Sequence, residues 1–391
     1  MTAEIKYEYL EHIAIRSIPT DGQDAFAGFV TQDGKIAFDR VIDSPFLEFD
    51  EKTLIRFGPD DHIHQEYKDA LATPGFIASG IIDFNQYAFV ENCALPIDFD
   101  TNEAVIGEPL CWGCDFALWY AERHKLPKMV RRFADPCFRR QLDETLDRNT
   151  IRGEAVVLSA PGQDIYGHWL LDMLPRLNVL REAGLDSLPV YCDSVPRWAA
   201  YFLKSFGLDI DAIRPHPSRF FRVEHAKVPT SSKSGFRLGG RALEDAWAQV
   251  RPPAVYSMPI SAMAEKIFFS RRGWSKGNRE SFDNIDALER AAQSRGYRIV
   301  SPQDYTVEQQ LLMMREARIV IGEDGSALHN IVFAQPGIRL GVLSLRHRNN
   351  LWHYGIAHIK QGHVAYIFPE NHTPKHIEVS TFHEFVDALE A

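Results

Sequence analysis

A chain of 391 residues exceeds what one hydrophobic core usually supports, so two domains are expected. Hydrophobic residues at 45% and charged residues at 25% lie close to the average soluble protein, which excludes a disordered or fibrous chain. A formal charge of -10 argues against nucleic acid as a partner, since a phosphate backbone requires a basic surface, and any anionic ligand must be met by a local cluster of cations.

The N-terminal run "MTAEIKYEYLEHIAIRS" mixes charges into every few residues and reads as neither a signal peptide nor a membrane anchor. Five cysteines (Cys93, Cys111, Cys114, Cys137, Cys192) are too sparse for a disulfide framework, so a reducing, cytoplasmic setting is expected. Residues 1–150 give β-like runs, "GFIASGIIDF" and "YAFVENCALPI", and then a helical patch, "DFALWYAERHKLPKMVRRF". "CWGC" at Cys111 to Cys114 has the spacing of a redox or zinc pair, but no second pair matches it, and buried thiols are the simpler reading.

From Glu154 a βαβα alternation begins: "EAVVLSAP" (strand), "HWLLDMLPRLNVLREAG" (helix), "LPVYC" (strand) and "PRWAAYFLKSFG" (helix). The proline-containing stretch "RPPAVYSMPISAM", Arg251 to Met263, reads as an interdomain connection. After it come "KIFFS" (strand), a helix capped by Asp283 or Asn284 and closed by Gly296, "YRIVS" (strand), a helix capped by Thr306, "RIVIG" (strand), a helix from about Ser326, and "RLGVLS" (strand). This predicts an α/β fold of two Rossmann-like lobes facing a cleft, 151–255 and 256–345. A β-rich segment, 1–150, would pack on the first lobe, and a tail, 346–391, would return toward it.

Three clusters carry chemistry. In "IGEDGSALHNIVFAQPG" the loop after a strand opens a helix, where unpaired N–H groups and a partial positive charge favour an anion; Gly325 would allow close approach and Ser326 would add a donor, although Asp324 or Ser326 could simply cap the helix. "FFSRRGWSKGNRE" places Arg271, Arg272, Lys276 and Arg279 at the same strand edge, and an arginine fork suits a diphosphate, with a solvated basic loop as the plain alternative. "GQDIYGHWLLDMLPRL" places Gly167 before a helix that carries His168 and Asp172 four apart on one face, the arrangement of an oriented general base; a capping histidine beside a surface aspartate is the structural alternative. Pro175 should bend that helix.

"GHWLLDMLPRL", "FFSRR" and "VIGEDGSALHNIVFAQPG", in that order, resemble glycosyltransferase family 61, whose bacterial members build capsular or exopolysaccharides. The resemblance covers about residues 150–345 and implies a glycosyltransferase-B type fold, a nucleotide-sugar donor held mainly by the C-terminal lobe, no obligatory metal or other cofactor, and transfer with inversion. Gly167, His168, Asp172, Pro175 and Arg176 match its first motif, Arg271 the basic position after the strand, and Gly322, Gly325 and Asn330 its third motif. Many eukaryotic members have His-Gly-Ala-Gly where this chain has Asp324, Gly325, Ser326 and Ala327, so Asp324 is expected to cap the helix or bind sugar hydroxyls, leaving Ser326 and backbone amides for phosphate.

For inverting transfer, His168 oriented by Asp172, or the reverse, is expected to be the base, Arg271 and the Gly325–Ser326 turn to take the charge of the leaving diphosphate with Arg272 and Lys276 at the same edge, and Glu323 and His329 to contact the donor's sugar or diphosphate. The acceptor would be an oligosaccharide, a lipid-linked glycan or a polysaccharide, with the enzyme in the cytoplasm or peripheral at the inner face of the membrane, against polysaccharide assembly machinery. "SALHNIVFAQPG" also resembles a segment of pyruvyltransferases, whose donor is phosphoenolpyruvate, and a non-catalytic glycan-binding protein is the other alternative. In the tail, Trp352 and Tyr354 read as core, and His353, His358 and His363 fit no compact zinc pattern.

Overall fold

The computed structural model describes residues 14–17, 34–47, 50–57, 76–90, 94–101, 103–106, 110, 136–234, 237–252, 264–272, 281–345, 350–371, 373 and 375–391. The "CWGC" motif, the expected helix over 115–133, most of the proline-containing connection, Lys276 and Arg279 lie outside these residues. The described residues of 1–45, 75–235 and 241–246 form one compact unit, and those of 46–74, 236–240 and 247–391 form the other.

The strands in chain order are β1 (Ala14–Ser17), β2 (Ile36–Pro45), β3 (Leu54–Phe57), β4 (Phe76–Val90), β5 (Leu95–Asp98), β6 (Glu103–Ile106), β7 (Thr150–Val157), β8 (Val190–Tyr191), β9 (Phe220–Pro229), β10 (Lys233–Ser234), β11 (Arg237–Leu238), β12 (Lys266–Phe269), β13 (Arg298–Val300), β14 (Ile319–Glu323), β15 (Arg339–Leu343) and β16 (His363–Ile367).

The first unit is built on an eight-stranded sheet in the order β1-β6-β5-β4-β9-β7-β8, with β2 pairing on β4. It departs from the expected Rossmann-like lobe, because β4 runs antiparallel to β9, β5 and β2, while β7 is parallel to both β8 and β9. The strands of the N-terminal 150 residues are therefore not a separate layer packed on a lobe. Most of them complete its sheet, and β4, read from sequence as two runs, is one strand of 15 residues. Phe84, Phe89, Phe221 and Val157 are buried in its core, with the Phe89 and Phe221 rings stacked at 5.5 Å. The parallel trio β8-β7-β9 sends its three carboxyl ends to one sheet edge, the edge at which ligands of α/β proteins sit.

The second unit carries a six-stranded sheet, β13-β12-β14-β15-β16-β3, parallel throughout. Its strands read as apolar runs because helices cover both faces: Ile285–Ser294 packs with Val379–Glu390, while Val307–Glu316 and Trp352–Ile359 both pack with the turn Ser326–Phe333. The tail, expected to return toward the first lobe, instead supplies β16 and the Val379–Glu390 helix, whose Phe382, Phe385 and Val386 are buried in this unit's core. Tyr354 is core, as read from sequence, and its hydroxyl accepts the Asp50 amide at 2.8 Å.

Local signals worked unevenly. Thr306 forms a full capping box with Gln309, as the sequence predicts. Asn284 does not cap with its side chain; its amide instead pairs with the Ile377 backbone in both directions. The segment from Ser326 to Phe333 is a 3-10 helix rather than an α-helix. Among the described residues, no helix is long and apolar enough to cross a membrane.

Candidate active site

In the first unit, the chain leaves β7 through 158–165 and enters a helical run over 166–182. That run opens with a turn, Tyr166–His168, widens into a π-helix, Trp169–Met173, and resumes as an α-helix, Leu174–Glu182. The widened turn lies directly before Pro175, whose ring cannot donate to the preceding turn, and such bulges concentrate at functional sites. The wide turn carries Asp172, and His168 stands directly before it. His168 Nδ1 lies 2.6 Å from Asp172 Oδ2.

The His168 side chain is 21% exposed and Asp172 is 2% exposed, so the imidazole reaches solvent over a buried carboxylate. Gly162, at φ +80°, lies against the ring: a Cβ there would come within 2.7 Å of His168, so only glycine leaves room for it. The Trp169 indole donates to the Gln163 carbonyl at 2.6 Å, and the Gln163 amide donates to the Asp193 carbonyl, tying the loop after β7 to the loop after β8.

Lys233, which the sequence reading passed over, completes the cluster. Its ammonium lies 3.1 Å from Asp172 Oδ1 with the side chain 6% exposed, and Ser231 Oγ donates to the same oxygen at 3.4 Å. Both come from the extended stretch after β9, where side chains alternate in direction. Thr230 accepts the Gly80 amide and Ser232 meets Ser79, which fixes the stretch on β4 and turns Ser231 and Lys233 toward Asp172. The signal was there in "PTSSKSG", a polar run directly after an alternating strand. Burial alone would push the Asp172 carboxyl up, but Lys233 and His168 hold it well below the usual carboxylate range.

Arg176, expected in a cleft, is instead buried at 1% exposure. Its guanidinium donates to the carbonyls of Pro229 (2.6 Å) and Leu158 (2.7 Å), joining the carboxyl ends of β9 and β7 to the helix that bears His168. It is a scaffold clamp. Gly167 is buried at the start of the run.

In the second unit, β13 lies to one side of β12 and β14 to the other, so the chain reverses direction across the sheet at β12 and β14. Ligands of doubly wound sheets sit beyond such a switch point. Arg271 follows β12, and its Nη1 donates to the Asp324 carbonyl at 2.9 Å, just beyond β14. Gly325, Ser326 and Ala327 are partly exposed between buried neighbours. Gly322 is the close-packing glycine of this edge, where a Cβ would meet Phe269 and Leu328 at 3.1 Å.

The Asp324 carboxylate neither caps the turn nor faces outward. It accepts from His353 Nε2 at 2.8 Å and Asn350 Nδ2 at 3.1 Å, with His353 wholly buried. Burial would raise its pKa, and the His353 hydrogen bond and charge lower it on balance. His329 is buried with its ring 5.0 Å from His353, and Asn330 donates to Gln310 at 2.8 Å in the core. Glu323 accepts from Ser281 at 2.6 Å, and burial pushes its pKa up. Arg272 pairs with Glu289 at 2.9 Å and with Asp286, both on the helix Ile285–Ser294, with its side chain half exposed. Of the donor-side residues expected from sequence, the structure brings Arg271 to the Asp324–Ser326 loop, holds Arg272 half exposed in ion pairs with Glu289 and Asp286, and buries Asn330 against Gln310.

Residues 166–341 match the family model described as Glycosyltransferase 61. The matched region begins two residues before His168 and ends in β15. No curated protein matches the chain.

Proposed function

We propose that the chain is an inverting glycosyltransferase that moves a sugar from a nucleotide-sugar donor to a glycan acceptor in surface-polysaccharide assembly, with no obligatory metal. The observation that carries the reading is the His168–Asp172 pair, held at 2.6 Å across the start of a π-turn at a strand-end edge, inside the family-matched region. Asp172 is buried and engaged by Lys233 and Ser231, which suits an orienting carboxylate rather than the base. With Nδ1–H donated to Asp172, His168 Nε2 carries the lone pair that takes the acceptor hydroxyl proton. The acceptor oxygen then bonds the anomeric carbon as the bond from that carbon to the diphosphate oxygen breaks. Arg271 and the Gly325–Ser326 turn supply positive charge to the departing nucleoside diphosphate.

The experiment is a thermal-shift screen against UDP-, GDP-, CMP- and dTDP-sugars and phosphoenolpyruvate, with and without EDTA, followed by a transfer assay whose product anomer is read by NMR. One nucleotide class should stabilise the protein in EDTA, and the product should carry the inverted anomer. Stabilisation by phosphoenolpyruvate alone would replace this reading with pyruvyl transfer.

A further inference from the structure

The sequence motifs account for His168 and Asp172 but not for a buried ammonium beside them. Burying a lysine is costly unless it is paired, and this one meets a carboxylate that is itself buried. We propose that Lys233 is a positioning residue of this site: its ammonium holds the Asp172 carboxylate as a hydrogen-bond acceptor and thereby fixes His168 in the Nδ1-protonated tautomer. This rests on the reading of His168 as the base.

The argument is one of donor and acceptor balance. A carboxylate can only accept, so while Asp172 is ionised His168 must donate Nδ1–H at 2.6 Å and present its lone pair on Nε2. A neutral Asp172 carries a proton of its own. It would donate to Nδ1 and leave the hydrogen on Nε2, the wrong tautomer for a base.

Lys233 supplies the charge that favours ionised Asp172 and His168 supplies a hydrogen bond, while burial works against its charge. Without Lys233, burial is opposed among the described residues only by the hydrogen bond from His168 and the longer one from Ser231. The aim of Lys233 is built in, because Thr230 and Ser232 hold the same stretch to β4 on either side of Ser231, with the Gly80 amide on Thr230 at 2.9 Å and Ser79 on Ser232 at 2.9 Å.

The test compares wild type, Lys233→Met, Lys233→Arg, Asp172→Asn and the double variant Asp172→Asn/Lys233→Met, in a transfer assay and by 15N NMR of histidine-labelled protein, with the His168 signals assigned through His168→Gln. Wild type should show the Nδ1–H tautomer. Lys233→Met should lose it and lose kcat by about a hundredfold or more with KM little changed, and Lys233→Arg should restore part of both. In the Asp172→Asn background the Lys233→Met change should cost nothing further, since its effect passes through the carboxylate. The double variant leaves no unpaired buried charge, so it stays measurable if Lys233→Met does not fold.

An unchanged tautomer in Lys233→Met, or equal losses from Lys233→Met in both backgrounds, overturns the proposal. If wild type transfers no sugar from any donor, the transferase reading fails, and the NMR comparison still decides the role of Lys233.

Discussion

Each unit contains a buried aspartate that accepts from a histidine, and the two pairs differ in one respect that separates chemistry from packing. His168 meets Asp172 at 2.6 Å and His353 meets Asp324 at 2.8 Å, so bond geometry does not distinguish them. Exposure does: the His168 side chain is 21% exposed and that of His353 is 0%. A histidine that reaches solvent over a charge-compensated carboxylate can exchange a proton with a substrate, whereas one sealed in a core can only hold its neighbour in place. The His353–Asp324 pair does hold something useful, the loop whose backbone carbonyl receives Arg271.

The sharpest way to break this comparison is to remove both histidines in turn. His168→Ala should lower transfer by at least about a hundredfold while leaving the melting temperature close to wild type. His353→Ala should do the reverse, with activity falling mainly as folded protein is lost and stability falling by about 2 kcal/mol, because it leaves a buried carboxylate short of a donor. Equal melting-temperature losses from both variants would erase the distinction. Arg271→Ala comes next, with a barrier increase of about 3 kcal/mol if the guanidinium meets the leaving diphosphate and near wild-type rates if it merely braces the Asp324 carbonyl; steady-state kinetics with the donor from the screen decides.

The contrast also shows what the sequence could convey. Four of the second unit's six strands, β12 to β15, were legible, because a parallel sheet covered on both faces writes itself as apolar runs between helices, opened or closed by local signals such as Thr306 and Gly296, whereas β3 and β16, contributed from either end of the chain, were not. The first unit was not. Its mixed sheet joins β4 to β9, whose pairing sets Ile81 opposite Pro229, and no periodicity within either strand encodes a partner so far along the chain. The site follows the same rule. His168 and Asp172 are four apart on one helical run and could be read directly, whereas Lys233 reaches Asp172 only because β7 and β9 end at one edge. Arg176 misled for the complementary reason: a charge in a motif suggests a ligand, and only three-dimensional structure reveals backbone carbonyls at two strand ends that need a donor.

Smaller effects sharpen the picture of the second unit. Thr306→Ala removes a capping box and should cost about 1 kcal/mol in chemical denaturation, with the transfer rate unchanged.

The smallest effect concerns two neighbouring carboxylates with opposite signs. Asp324 is held below the ordinary carboxylate range, so it adds stability above its unfolded pKa, and that contribution fades as pH falls through the folded value. Glu323 is pushed above that range by burial, so its ionisation costs stability once pH exceeds its unfolded pKa, and the cost is relieved as pH falls through the raised folded value. Glu323→Gln keeps an oxygen to accept from Ser281 while removing the charge, and it should raise the melting temperature at pH 7 and lose that advantage near pH 4. Asp324→Asn should lower the melting temperature at pH 7 and converge on wild type in acid. Melting curves from about pH 2 to 8 read both signs and both acid limits from one pair of variants. If the two substitutions moved the curve in the same direction at neutral pH, the division between a carboxylate secured by His353 and one strained by burial would be wrong.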